Sequence, residues 1–266
     1  MKVSLNGVLM DAEDARIDPR DRGFTLGDGV FETIAVRRGK APKLAAHLAR
    51  LRNGLATIGL ALPADDMTLG GWMADLLMDA GMADAALRLT VTRGIGARGI
   101  VPPASGHPTV LISISPLSAP ASPARVIVAT GTRRNEHSPT SRIKSLGYLD
   151  NIIARQEASA RAADDALMLN TAGNLACATV GNVFLLIDGG LLTPPVSDGA
   201  LPGIARADVI TLTKAEERTI TPEMLGRSAE AFITNALGLR PIISIDGAPV
   251  GDGTVGLITQ LVATRV

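Results

Sequence analysis

"SRIKSLGYLDNIIARQEA" occupies residues 141–158 and sets one lysine, Lys144, just ahead of an apolar run. Leu146, Leu149, Ile152 and Ile153 recur at helical spacing, and Arg155, Gln156 and Glu157 follow as the pattern turns outward. The spacing predicts an amphipathic helix that opens after Lys144 and buries its leucines and isoleucines. Two readings of the lysine stand: a solvated amine beside a helix start, or an amine held in a pocket to make a Schiff base.

Working outward, the same mixture of short elements continues. "VSLNGVLM" reads as a hairpin turning at Asn6-Gly7, and "GVFETIAVRRGKAP" as a strand that ends in another turn. Helices are expected over Lys43–Gly59, with Leu44, Leu48, Leu51, Leu55 and Ile58 on one face, over about Met67–Ala80, and near Gly203–Lys214. "ALRLTVTRG" and "HPTVLISISPL" read as strands, as do "RVIVAT", "DALMLN" and "GNVFLLIDGGLLTPP". "SPLSAPASPA", with three prolines, is the best linker candidate. These elements predict an N-terminal α/β domain over 1–116, a linker over 117–122 and a C-terminal domain over 123–266. Strands and helices mix without regular βαβ alternation, which favours two α+β domains.

Composition narrows the function. The chain has 266 residues, 46% of them apolar but only 2% aromatic, so its core must be mostly Ala, Leu, Ile and Val. Lys plus Arg and Asp plus Glu both count 26, so nothing favours a nucleic-acid partner. A lone Cys177 fits a reducing compartment, and no apolar run reaches membrane-span length, so a soluble cytoplasmic protein is expected.

The glycine loop "RGIGARG" has G-x-G-x-x-G spacing, yet Pro102-Pro103 follows where a dinucleotide site needs a helix. It reads instead as a flexible loop presenting Arg98, either as a clamp for a substrate carboxylate or as a solvated side chain. His47, His107 and His137 are scattered and predict no metal site. Neither Cys177 nor Ser145 carries the surroundings of a nucleophile. "LPGIAR" is a tight turn opening a helix, suited to an anion, and Arg50 in "HLARL" adds charge if its face turns inward.

"DRGFTLGDGVFET", "HLARL", "TRGIGARG", "RIKSLGYL", "GNVFLL", "LTPP" with "LPGIAR", and "FITNALGLRPI" run in that order from about Asp21 to Ile242. In this series the chain resembles the class-IV aminotransferases, pyridoxal-phosphate enzymes of fold type IV. The resemblance implies a two-domain α/β (α+β) fold like that of the D-amino-acid aminotransferases, with the cofactor at the domain interface, in a homodimer. It makes Lys144 the Schiff-base lysine and proton carrier. It assigns Arg50, Gly203, Ile204, Ala205, Thr234 and Asn235 to the cofactor phosphate, and Tyr148 to a place near its phenolic oxygen. Phe31, Thr33, Arg98 and Ala236 fall on the substrate side.

Three positions depart from the family pattern. Cys177 stands five residues before Asn182, where relatives carry the glutamate that pairs with the pyridine nitrogen. Ala205 replaces a common threonine. Phe31 and Ile100 stand where D-amino-acid aminotransferases carry tyrosine and histidine. "GVFETIAV", "RGIGARG" and "TNALGLRPI" look most like aminodeoxychorismate lyase, which eliminates pyruvate to leave p-aminobenzoate, working through a Schiff base between cofactor and substrate. The expected activity is therefore that lyase reaction. The alternatives are transamination of a D-amino acid, a branched-chain amino acid or an (R)-amine, or a cofactor-binding paralogue with weak catalysis.

Overall fold

The computed structural model describes residues 1–103, 106–119 and 121–265; Pro120, within the expected linker, lies outside them. The chain forms two compact units, Met1–Leu117 with Ile143–Gly147, and Ser118–Arg142 with Tyr148–Val266. The five residues around Lys144, expected in the C-terminal domain, thus pack with the first unit.

The first unit contains β1 (Lys2–Leu5), β2 (Val8–Asp11), α1 (Arg22–Leu26), β3 (Gly29–Val36), α2 (Leu44–Thr57), α3 (Asp66–Ala80), β4 (Ala85–Thr92) and β5 (Thr109–Pro116). Its strands form an antiparallel sheet in the order β2-β1-β5-β4-β3. Alternation decides which face is covered. Val30, Ile34 and Val36 of β3, Leu87, Leu89 and Val91 of β4, and Val110, Ile112 and Ile114 of β5 all point to one side. There they pack on Leu48, Leu51 and Leu55 of α2 and Leu69, Met73 and Leu76 of α3. The opposite face carries Phe31, Thr33, Arg88, Thr90 and Ser113, brought side by side by the register of β3, β4 and β5.

The second unit contains β6 (Ala124–Val128), α4 (Leu149–Ala160), β7 (Asp165–Leu169), β8 (Leu175–Ala178), β9 (Asn182–Ile187), β10 (Gly190–Thr193), α5 (Ile204–Thr213), β11 (Glu216–Glu217), α6 (Pro222–Leu225), β12 (Ser228–Asn235), β13 (Gly238–Ile245), β14 (Ala248–Pro249) and α7 (Leu257–Ala263). Eight strands follow the order β11-β10-β9-β12-β13-β6-β7-β8, with β14 on the side of β13. β7 and β8 are buried along their whole length, so "ALML" after the buried Asp165 and "LACA" read as continuous apolar runs. Phe184 of β9 and Phe232 of β12 stack with ring centroids 5.1 Å apart, anchoring the layer under α5 and α7.

The helix after Lys144 differs from its expectation in two ways. It starts only at Leu149, with Tyr148 as its N-cap residue, and Lys144 lies upstream in a turn, next to Ser145, which bridges to Val30. Its buried face is Asn151, Ala154 and Ala158, whereas Leu149 is 73% exposed and Ile152 and Ile153 also face outward. The reason is polar: Asn151 Nδ2 donates to Thr179 O at 2.7 Å, and Arg155 reaches Thr179 Oγ1 and the buried Asp165. Those bonds fix the helix rotation against the pull of its larger side chains.

Candidate active site

Ile143–Gly147 extends the first sheet beyond β3. Phe31 N donates to Lys144 O at 2.9 Å, Leu146 N donates to Gly29 O at 3.1 Å, and Val30 bridges Ser145 in antiparallel sense. This pairing places the Lys144 amine over the Phe31 ring, 4.3 Å from its centroid. Arg88 Cζ lies 3.8 Å from the same centroid. One aromatic ring therefore carries two cations. The Lys144 pKa is pushed down to about 8, first by burial and then by the Arg50 guanidinium; Glu32 opposes and Arg88 adds to the lowering. An amine with that pKa is a usable nucleophile and base near neutrality.

Arg50 is nearly buried and held by Glu32. Its Nε donates to Glu32 Oε1 at 2.8 Å and its Nη2 to Oε2 at 2.7 Å, a two-point grip. His47, three residues earlier on the same face of α2, brings Nδ1 to 2.7 Å from Oε2. Burial alone pushes the Glu32 carboxyl up, but the hydrogen bonds from Arg50 and His47 prevail and hold it below its usual value.

The second unit holds a helix N-terminus whose chemistry suits an anion. Gly203 is the N-cap residue of α5 with no side-chain cap, which leaves the first amides of the helix, including Ile204 and Ala205, without a capping side chain. A Cβ on Gly203 would collide with Asn182 Oδ1, while Asn182 Nδ2 donates to Leu201 O at 2.9 Å. Glycine is thus needed for the turn to close on β9. Thr234 is 0% exposed, and its Oγ1 has no hydrogen-bond partner. An unpaired buried hydroxyl costs free energy and fits a site built for a ligand oxygen. Asn235 ends β12 and Ala236 lies in the turn that follows, where Asn235 Oδ1 accepts from Leu237 N.

Cys177 of β8 is buried among Ala154, Ala158, Ala176 and Met168. Burial pushes its thiol up to about 11, against an opposing pull from Arg134. Arg98 is exposed on a loop whose carbonyls at Gly99 and Ile100 accept from the buried Arg22, each at 2.9 Å. Gly94 in that loop has φ +79°, and a Cβ there would run into His107 O, so this glycine serves a close backbone approach. The sequence reading passed over Glu32, Arg88 and the pairing role of His47. The alternation of "ALRLTVTRG" puts Arg88 opposite the leucines, but only the β3–β4 register brings it to Phe31.

Residues 29–245 match the family model for amino-transferase class IV. The chain belongs to the class-IV aminotransferases. These enzymes work with pyridoxal 5'-phosphate. The chain is 32% identical to the D-alanine aminotransferase of Bacillus licheniformis, over 100% of this chain and 96% of that one. It superposes on the branched-chain aminotransferase of Thermoproteus uzoniensis, solved with norvaline, with a TM-score of 0.91 at 31% identity, covering 99% and 92% of the two chains. A Legionella pneumophila protein named "putative 4-amino-4-deoxychorismate lyase" superposes with a TM-score of 0.86 at 28% identity, covering 95% and 94%. The fold is thus that of fold type IV, and the chain is a pyridoxal-phosphate-dependent enzyme. The named relatives shift the balance from the expected lyase towards aminotransferases.

Proposed function

We propose that this protein is an amino-acid aminotransferase in which Lys144 binds the cofactor aldehyde and moves the proton. The observation that carries the reading is the part-buried Lys144 amine, held near pH 8 among Phe31, Arg50 and Arg88. Bound pyridoxal phosphate supplies an aldehyde for the amine and a ring that takes up the electron pair released at the substrate Cα. The remaining roles belong to the chain. Lys144 Nζ, neutral for a large part of its population near pH 8, takes the proton from Cα and returns it. In the second unit the Ile204 and Ala205 amides and the Thr234 hydroxyl suit the phosphate, and in the first Arg50 offers a fixed guanidinium suited to the same kind of group. Tyr148 and Cys177 serve the ring, and a neutral thiol in place of a carboxylate leaves the electron demand weaker than in relatives with glutamate.

Arg88 suits the substrate carboxylate better than Arg98 within one chain, because it shares the Phe31 ring with Lys144. Thr33 and Ser113, its cross-strand neighbours, add hydroxyls to the same face. The family resemblance, which implies a homodimer, and the exposed Phe24, Ile100 and Val101 support two-fold association, since the loop bearing the latter two is fixed by Arg22.

The test is direct. Purified protein given pyridoxal phosphate should absorb in the near-visible, and borohydride should attach the cofactor to the peptide containing Lys144. It should then convert D-alanine or a branched-chain L-amino acid with a keto-acid acceptor, while Lys144→Ala does not. Pyruvate release from aminodeoxychorismate without any transamination would reverse the assignment in favour of the lyase.

A further inference from the structure

Glu32 stands where the alternation of β3 asks for an aliphatic residue, between Val30 and Ile34 on the core face, and it is 0% exposed. A carboxylate there carries a large desolvation cost, and an apolar set of similar volume would hold the fold at least as well. Stability alone therefore does not account for it. Its bonds are arranged for orientation: Oε1 and Oε2 grip one edge of Arg50, and His47 closes on Oε2 from the same helix. The guanidinium is fixed in plane and direction. Lys144 is tied by its backbone to Phe31, the neighbour of Glu32 in β3.

We infer that Glu32 is a positioning residue that aims Arg50 and, as the balancing anion, keeps Lys144 able to hold a proton as well as release it. This rests on Lys144 being the working amine. The charged groups acting on Nζ are Arg50 from α2, Arg88 from β4 and Glu32 from β3, with the Phe31 ring beneath. Two cations drive the proton off and one carboxylate retains it. Without Glu32 the two guanidinium groups act unopposed, and a lysine that cannot keep a proton is a poor acid for the return step.

The experiment follows the Lys144 midpoint in the whole, cofactor-free protein by trace labelling with acetic anhydride, read by mass spectrometry on the Lys144 peptide across pH. The native midpoint should lie near 8. Glu32→Gln should lower it by at least about half a pH unit, the effect of removing one charge several ångströms away at an intermediate dielectric. Glu32→Asp, which keeps the charge, should recover most of the shift. A purely structural Glu32 would lower the melting temperature in Glu32→Gln but leave the midpoint alone, and that result overturns the inference. If Glu32→Gln does not fold, Arg50→Met is compared with Glu32→Gln/Arg50→Met. These differ only in the carboxylate, the first must titrate higher, and equal midpoints again overturn the inference. A native midpoint at the ordinary 10.5 would instead sink the reading of Lys144 itself.

Discussion

Arg134 keeps its Nε buried without a hydrogen-bond partner, and its charge reaches the Cys177 thiol. A carboxylate placed at residue 177 would therefore meet a cation with a donor to spare. Cys177→Glu should fold, and combining it with Arg134→Met should expose a coupling of about 1–3 kcal/mol in a double-mutant cycle read by chemical unfolding. Zero coupling would show that the residue 177 side chain points away from Arg134. The native thiol adds a pH signature. Its folded pKa lies near 11 against an ordinary 9.0, so between those values the folded state holds more protons than the unfolded chain. Its contribution to stability is complete below pH 9 and is lost as pH rises towards 11. Comparing Cys177→Ala with the native protein over that window isolates the effect: the native chain should lose stability more steeply with pH.

Elements show where a sequence pattern stops being informative. The strands β3, β4 and β5 were legible because their aliphatic residues alternate and all meet one pair of helices. Glu32 broke that alternation, and its partners on α2 are unrelated in sequence to β3, so only the folded packing shows what it does. In α4 the spacing identified a helix but could not say which side is covered, because Asn151 and Arg155 spend their hydrogen bonds on the buried side. At the start of α5 the local signal was complete: a Pro-Gly turn, then a helix. There Gly203→Ala should push the turn away from Asn182 and weaken cofactor affinity by at least about tenfold, roughly 1.4 kcal/mol, in fluorescence titration. The same affinity in Gly203→Ala and the native protein would remove the α5 amides from the phosphate site.

For the molecule as a whole, the order of motifs revealed the family, while the chain's crossing between units did not appear in the sequence. A five-residue edge segment has too little pattern to announce its neighbour, and Lys144 was read with the wrong unit for that reason. The proposed homodimer is tested at this scale. Light scattering should give twice the chain mass, and Phe24→Asp with Ile100→Asp should return it towards the single-chain mass while leaving helix content unchanged. A native protein of single-chain mass would sink the dimer. The pairing of Ile143–Gly147 with β3 also bears on how the protein is born. The first 117 residues can leave the ribosome with their three helices and five strands, yet the outer hydrogen bonds of β3 stay open until residue 147 emerges. The reactive amine is thus delivered by the same short piece of chain that seals the sheet, so a nascent chain too short to close that edge also lacks its lysine.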